Sequence, residues 1–294
     1  MNRKKTTERL LCVSFLCCAL AAVALSCAKR GGAAEAYAAY REEEAFMSAE
    51  AAEDGMALAF SRFLDGVIAA AELPPETARV IREAAGAGPP FILEILTCLN
   101  GEIPLHVLVD KSHPLGEGYA PDDLVELGGP GAPYHVTRRG MTLRAAAARA
   151  LHEMAREAER DGLTLTVGSA YRSYDYQVEV YGRIVREMGV EAADRESARP
   201  GYSQHQTGLA VDFSPIDDRF ADTPEGRWVR DNAERFGWSV SFPEGGADIT
   251  GYRAESWHYR YLGRDLAAFT AAYFGGIQQY ALRFLHEWEQ AEQE

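Results

Sequence analysis

Two histidines, an aspartate and a glutamate stand at spacings that could support hydrolytic chemistry. His205 and Asp212 lie in the segment GYSQHQTGLAVDFSP, and Glu255 and His258 lie in TGYRAESWHYRYLG. Two histidines and one aspartate are a suitable ligand set for Zn²⁺, and a catalytic zinc keeps three protein ligands and a fourth position for water. A carboxylate beside that water can act as its general base, so Glu255 is the candidate for this role.

The alternation of side chains around Asp212 indicates how this ligand is presented. In a strand, successive side chains point to opposite faces. The large residues of GLAVDF then share one face: Leu209, Val211 and Phe213. Asp212 falls on the other face with Gly208 and Ala210, which leave room for an ion and a substrate.

Glu255 precedes His258 by three residues, a spacing whose meaning depends on the local structure. A helix would place both on one face, but Trp257, Tyr259 and Tyr261 alternate as in a strand, where positions three apart point oppositely. If both residues serve one site, we expect Glu255 in the turn before the strand.

The ordered motifs resemble those of the LAS zinc metallopeptidases, and most closely the VanY-type D-alanyl-D-alanine carboxypeptidases. The pattern SxHxxGxAxD occupies residues 203–212, and ExWH occupies residues 255–258. Flanking segments agree, including LVDKSHPLGEGYAPDDLVEL, SAYRSYDYQ and NAERFGW. The resemblance covers about residues 103–265.

This resemblance implies both a fold and a ligand set. The fold is an α+β domain of the LAS or hedgehog-like type, with a small antiparallel sheet and surrounding helices. By the same resemblance, His205, Asp212 and His258 bind zinc, and Glu255 activates the water.

Three further residues match family positions. Arg172, in YRSYDYQ, matches the arginine that stabilises the developing oxyanion or binds substrate, and Ser203 and Gln177 match positions near the substrate. The chain also departs from the pattern, because residues 241–243 read Ser-Phe-Pro where Arg-Tyr-Pro is expected, and Ser256 stands where proline is usual. Neither change removes a ligand, but the missing arginine affects substrate binding.

Alternating helix and strand patterns independently favour an α+β domain. Thr142 is expected to cap a helix that stops at Gly162, and LTLTV at residues 163–167 predicts a strand. A second helix, ending at Gly189, carries an apolar stripe: Val178, Tyr181, Val185 and Met188. Thr223 begins a third helix, and WSVSF predicts a strand with its aromatic residues inward: Trp238 and Phe242, with Val240 between them.

The composition changes along the chain and predicts four segments. Residues 1–26 are expected to be a signal peptide, residues 27–100 a linker and helical extension, residues 101–268 the zinc carboxypeptidase domain, and residues 269–294 a C-terminal helix and frayed tail.

The N-terminal segment has the form of an export signal. Basic residues precede an apolar run at positions 10–25, which at 16 residues is shorter than the roughly 20 that span a bilayer. ALSC, ending at Cys27, resembles a bacterial lipobox, so we expect lipidation at Cys27, with ordinary signal cleavage as the alternative. Cys98 is then expected to be a buried apolar residue.

The sequence therefore predicts an exported, membrane-anchored lipoprotein of the cell envelope. Its expected activity is zinc-dependent D,D-carboxypeptidase action on peptidoglycan stem peptides. An L,D-carboxypeptidase, an endopeptidase of the same fold and a non-catalytic zinc-stabilised wall-binding module are the alternatives. A net charge of −14, without basic clusters beyond the N-terminus, argues against nucleic acid as a partner.

Overall fold

The computed structural model describes residues 49–101 and 103–293, with side chains from residue 55 onward. The predicted signal segment and Cys27 lie outside the described residues and stay predictions, as do the domain boundaries. The chain divides into two compact units, Met1–Gly101 with Arg283–Glu294, and Glu102–Leu282, of which the described residues are considered below. Among those residues, no helix has both the length and the apolar character needed to cross a membrane.

Helices alternate with short strands along the described chain. The helices are α1 (Ala49–Ala70), α2 (Pro75–Gly86), α3 (Pro89–Leu99), α4 (Ala145–Arg160), α5 (Tyr174–Met188), α6 (Val190–Glu196), α7 (Pro224–Asn232), α8 (Ala247–Thr250), α9 (Gly263–Phe274) and α10 (Gln278–Ala291). The strands are β1 (Leu124–Glu126), β2 (His135–Val136), β3 (Thr142–Arg144), β4 (Thr166–Ser169), β5 (Ala210–Phe213), β6 (Trp238–Phe242) and β7 (Glu255–Tyr261). Short 3-10 helices occupy Gln204–Thr207, Asp218–Asp222 and Ala233–Phe236.

The first unit is helical, as predicted for this part of the chain. Proline at the start of α2 and of α3 suits the first helical turn, where the missing N–H has no partner to lose. The edge of the Phe63 ring meets Trp288 of α10 with centroids 4.9 Å apart, and Phe91 lies 6.3 Å from Phe284. Cys98 is buried, as expected for a small apolar residue.

The second unit contains a five-stranded sheet with the order β2-β4-β5-β7-β6 and a two-stranded sheet of β1 and β3. The α+β architecture is confirmed, with one difference from the predicted antiparallel sheet. Strand β2 runs parallel to β4. This is possible because β3 and α4 lie between them in the sequence and form the long crossover that parallel strands require.

The core of this unit lies between α4 and the sheet. One face of α4 is fully buried: Ala147, Leu151, Met154 and Ala158. It belongs to one cluster with buried residues of the sheet: Val167, Val211 and Phe213. Strand β4 begins at Thr166, later than the sequence predicts, although Leu165 just before it is also buried.

Thr142 does not cap a helix, contrary to the prediction. It lies in β3 and pairs with Glu126 of β1, and α4 begins only at Ala145. Leu143, the next residue of β3, is buried. Threonine and leucine adopt extended structure here because β1 offers a partner strand.

The apolar stripe predicted on α5 does not face the core. Val178 and Met188 are each 47% exposed, and Tyr181 and Val185 are half-buried. The fully buried residue of this helix is Gln177. The prediction was wrong: within the stripe, Met188 lines the open cavity and the Tyr181 hydroxyl donates to Asp194 of the neighbouring helix α6 at 2.7 Å, so this face does not pack into the core.

Strand β6 follows the predicted pattern only in part. Helix α7 before it begins at its predicted Thr223 cap, and Trp238 is buried as expected. Ser241 is buried, however, whereas Phe242 is half-buried. By ordinary strand alternation Ser241 lies on the face opposite Trp238 and Val240, where its Oγ donates to Gln204 Oε1 at 2.7 Å.

The C-terminal segment forms two helices rather than one helix and a frayed tail. Helix α9 ends at Phe274 and is followed by Gly275, whose backbone is in the left-handed region with φ of 60°. Helix α10 then begins at Gln278. Buried residues recur on one face of α10 at helical spacing: Ala281, Leu285 and Trp288. The charged residue Glu292, just after α10, accepts a hydrogen bond from Trp288 Nε1 at 2.9 Å.

Candidate metal centre and active site

Two paired strands and one 3-10 helix bring the three predicted metal ligands together. Asp212 in β5 and His258 in β7 are register partners across the antiparallel pair. Directly opposed residues share a face of the sheet, with Cβ atoms about 5 Å apart. His205 comes from the 3-10 helix that precedes β5. The sheet topology therefore creates the cluster.

The turn between His205 and β5 requires glycine at position 208. Gly208 has φ of +69°, a conformation that residues with a Cβ rarely adopt. A Cβ atom would also lie 2.9 Å from Arg144 Cγ and 3.0 Å from Leu124 Cδ2. The small residue between the two ligands is thus required by backbone conformation and close packing.

The ligand atoms are buried and close to one another. His205 Nε2 lies 3.1 Å from Asp212 Oδ2, and His258 Nδ1 lies 3.0 Å from Asp212 Oδ1. The cluster of these three residues has all its ligand atoms within 4.8 Å. Zinc–ligand distances of about 2.0–2.2 Å place the ligand atoms of a tetrahedral ion about 3.3 Å apart. The two distances between a histidine nitrogen and an Asp212 oxygen, 3.1 and 3.0 Å, are close to this value.

Each histidine turns its other ring nitrogen toward a hydrogen-bond acceptor. His205 Nδ1 donates to the carbonyl oxygen of Ala170 at 2.7 Å, and His258 Nε2 donates to Gln204 Oε1 at 3.3 Å. These bonds leave lone pairs on the nitrogens that face Asp212.

The resulting arrangement suits a cation. His205 Nε2 and Asp212 Oδ1 are buried and have no hydrogen-bond donor among the described residues. Burial and the nearby charge of Arg172 lower the pKa of His205 to about 4. Burial favours the neutral form of Asp212, but the two imidazoles hold its pKa well below its ordinary value. A neutral imidazole and a carboxylate anion are the forms that bind a divalent metal, so the residues fit zinc.

Glu255 reaches the same site despite its position three residues before His258. The sequence predicts that Glu255 lies in the turn before the strand, but it is the first residue of β7. The pairing irregularity between β6 and β7 places extra residues of β7 opposite β6, which breaks the strict alternation. Glu255 Oε2 consequently lies 3.6 Å from His258 Nδ1, and burial raises the pKa of Glu255 to about 7.

Arg172 approaches the ligands from the loop that follows β4. Its backbone N–H donates to the carbonyl oxygen of His205 at 3.2 Å, which fixes the loop to the 3-10 helix. Its Nη2 lies 4.0 Å from Asp212 Oδ2. The buried Nε finds no acceptor among the described residues and is available to a ligand.

These residues open onto a cavity of about 280 Å³. Its lining includes polar side chains: Arg172, Ser203, His205, Asp212, Glu255 and His258. It also includes apolar side chains: Val180, Ile184, Met188, Ile216 and Trp257. The candidate site residues therefore share one cavity with apolar side chains.

The two predicted substrate residues differ in position. Ser203 lines the cavity, and its Oγ accepts a hydrogen bond from the His205 N–H at 3.3 Å. The structure does not bring Gln177 to the cavity wall. Its Nε2 donates to the carbonyl oxygen of Ala198 at 2.7 Å and to Ser197 Oγ at 3.3 Å. Both assignments to substrate stay predictions.

Sequence reasoning missed the polar residues behind His258. Gln204 accepts from both His258 and Ser241, and Ser241 appeared in the sequence only as a departure from a family triplet. Gln278, which contacts Ser241, lies far along the chain. Only the position of Gln204 between Ser203 and His205 gave any signal.

Comparison with known proteins identifies the family. The family model VanY, described as D-alanyl-D-alanine carboxypeptidase, matches residues 140–264. This range includes the three candidate ligands, Glu255 and Arg172. The structure of the LdcB LD-carboxypeptidase is 33% identical, with a TM-score of 0.52, and the match covers 59% of this chain and 88% of LdcB. The chain belongs to the VanY family. Its α+β fold matches that of the LdcB carboxypeptidase.

Two other relatives extend the comparison. A vancomycin resistance D,D-pentapeptidase VanY, solved in complex with Zn(II), is 29% identical with a TM-score of 0.50, over 60% of this chain and 98% of that one. YodJ of Bacillus subtilis is 37% identical over 168 residues, which are 54% of this chain and 60% of YodJ. The chain thus spans less than two thirds of the length of YodJ.

Proposed function

We propose that this VanY-family chain is a zinc-dependent D,D-carboxypeptidase that removes the C-terminal D-alanine from peptidoglycan stem peptides. The observation that carries the proposal is the convergence of a buried His-Asp-His cluster, a glutamate and an arginine on one cavity. The family description and the zinc-bound VanY relative support it.

His205, Asp212 and His258 would hold the ion, and zinc in such a site polarises a carbonyl and lowers the pKa of water. Glu255 stands beside this position, 3.6 Å from His258 Nδ1. Its carboxylate takes a proton from the attacking water, and the resulting carboxylic acid gives that proton to the leaving amine. Glu255 therefore acts first as a base and then as an acid.

Arg172 supplies positive charge on the same side of the cavity. Its guanidinium is buried near Asp212 and has an Nε that no described residue accepts from. Negative charge grows on the carbonyl oxygen as the peptide is attacked, and a fixed cation helps most at that stage. Arg172 therefore stabilises the oxyanion or holds the substrate carboxylate.

Zinc-loaded protein incubated with a stem pentapeptide ending in D-Ala-D-Ala tests the activity. Mass spectrometry should show release of a single D-alanine. Glu255→Gln should abolish release while retaining zinc, whereas Glu244→Gln, an exposed glutamate, should behave as wild type. Wild-type protein that holds zinc and releases no D-alanine contradicts the proposal, and full activity of Glu255→Gln contradicts the mechanism.

The likeness to LdcB favours a second candidate, an L,D-carboxypeptidase that acts on tetrapeptides. Parallel reactions with pentapeptide and tetrapeptide separate the two, because each activity shortens a different substrate. Cleavage of cross-linked dimers would indicate an endopeptidase. Full zinc occupancy with peptidoglycan binding and no product would indicate a binding module.

We also propose that the chain is exported and anchored in the cell envelope through a lipid at Cys27. The basic, apolar and small-residue order of positions 1–27 supports this. Wild-type protein should fractionate with membranes, and Cys27→Ala should not. A wild-type protein that is exported but soluble would instead support ordinary signal cleavage.

A further inference from the structure

His258 Nε2, the ring nitrogen that faces away from Asp212, is hydrogen-bonded to a chain of three buried polar side chains. We name these three residues the polar relay: Gln278, Ser241 and Gln204. His258 Nε2 donates to Gln204 Oε1 at 3.3 Å, and Ser241 Oγ donates to the same oxygen at 2.7 Å. Gln278 Nε2 donates to Ser241 Oγ at 3.1 Å. All three relay residues are buried, with Gln278 only 1% exposed.

A backbone carbonyl sets the direction of these bonds. Gln278 Nε2 also donates to the carbonyl oxygen of Ser239 at 3.1 Å. A carbonyl can only accept, so the amide nitrogen of Gln278, and not its oxygen, must face Ser239 and Ser241. The hydroxyl of Ser241 therefore accepts from Gln278 and directs its own proton to Gln204 Oε1.

The same direction carries through to the imidazole. Gln204 Oε1 is an acceptor, so the proton of a neutral His258 belongs on Nε2. Nδ1 is then left with a lone pair, and it is this nitrogen that lies 3.0 Å from Asp212 Oδ1. With the opposite tautomer, a proton would stand where the metal has to bind.

We infer that Gln278 is a positioning residue that, through Ser241 and Gln204, fixes the tautomer of His258 with its Nδ1 lone pair directed at the ligand cluster. This inference rests on the proposed metal site. Gln278 opens α10, beyond the residues that the family model matches. Ser241, in β6, links Gln278 to Gln204.

Three single substitutions each remove one relay member: Gln278→Met, Ser241→Ala and Gln204→Met. In zinc-free protein, long-range ¹H–¹⁵N correlations of the imidazole, assigned with His258→Gln, report which nitrogen carries the proton. Wild type should show a single Nε2–H form, and the variants a mixture. Zinc affinity, measured by chelator competition, should fall about 10–100-fold, as for other partners of metal-bound histidines.

Conservative variants and a control distinguish positioning from general stability. Ser241→Thr keeps the hydroxyl and Gln204→Glu keeps the acceptor, so both should retain the Nε2–H form and most of the affinity. Thr270→Val removes another buried hydroxyl, which bonds to Leu266 within α9, and should leave both readouts unchanged. If Gln278→Met does not fold, Ser241→Ala carries the same test.

The inference is overturned if the folded relay variants keep a single Nε2–H tautomer and wild-type zinc affinity. It is also overturned if wild type already shows a mixture of tautomers. Absence of zinc binding by wild type would count against the proposed function instead, because the tautomer is measured without metal.

Discussion

The two histidines of the proposed metal site are held in different ways. His205 donates to the backbone carbonyl of Ala170 at 2.7 Å, whereas His258 donates to the side chain of Gln204 at 3.3 Å. A backbone carbonyl is present whatever residue occupies position 170, but the polar relay needs three particular side chains. Single substitutions can therefore alter the His258 side, whereas the His205 side changes only if the backbone moves.

Asp212→Ala should have the largest effect, because this residue contacts both histidines. Its two oxygens lie 3.1 and 3.0 Å from the facing nitrogens. The substitution removes one metal ligand, and with it the residue that contacts both histidines. Zinc affinity should fall by more than the roughly 100-fold limit for residues that only support a ligand, as chelator competition would measure.

Asp217→Ala is the matched control for that loss. Asp217 lies just after β5 and pairs with Arg219 on the surface. It should retain wild-type zinc affinity. If Asp212→Ala bound zinc as well as this control, the two histidines would not share a metal with Asp212.

Gly208→Ala should displace His205 by shifting the backbone next to it. A Cβ at this left-handed position would meet Arg144 and Leu124, so the chain between His205 and β5 must shift. We expect a loss of about 1–3 kcal/mol in the free energy of unfolding and about a 10-fold loss in zinc affinity. Urea unfolding and chelator competition measure the two effects.

Gly162→Ala separates backbone strain from displacement of the ligand. Gly162 has φ of +80°, and a Cβ there would meet no atom within 4 Å. This variant should lose about 1–2 kcal/mol without any change in zinc affinity. Equal zinc affinities for the two alanine variants would show that the His205 side tolerates backbone movement.

Much of the site follows from sequence because its ligands obey local rules. The alternation in GLAVDF correctly places Asp212 opposite the large residues, since Val211 and Phe213 are buried in the core cluster. The ligand spacing and the helical face of α4 are also local patterns. In physical terms, these features depend on periodicity, which a sequence records directly.

The remaining features depend on contacts between distant segments. Glu255 and His258 face one site only because β7 pairs irregularly with β6. The stripe on α5 has helical spacing, yet Val178 and Met188 are each 47% exposed. Gln278 reaches Ser241 across 37 residues of chain. Periodicity within a segment records none of these.

Two adjacent glutamines at the start of α10 reach different partners. Gln278 belongs to the relay, whereas Gln279 Nε2 donates to Asp110 Oδ2 at 2.6 Å. Asp110 also accepts from the backbone N–H groups of Ser112 and His113 and contacts the His113 imidazole Nδ1 at 2.8 Å. Burial acts to raise the pKa of Asp110, but these hydrogen bonds hold it below its ordinary value. Asp110 should therefore stabilise the fold without affecting His258.

Asp110→Asn should lower the free energy of unfolding at neutral pH by about 1–3 kcal/mol, because an amide replaces a buried acceptor. A depressed folded pKa means that the ionised Asp110 stabilises the protein above the unfolded value of about 3.9, and that this contribution is lost as pH falls through the folded pKa. The stability gap between variant and wild type should therefore narrow below about pH 4, which urea unfolding at stepped pH would show. A stability gap that stayed constant into acid would contradict this role.

The same variant also tests the contrast between the two histidines. Asp110→Asn should leave the His258 tautomer unchanged. A mixture of His258 tautomers in this variant would show that α10 influences the metal centre by a route other than Gln278.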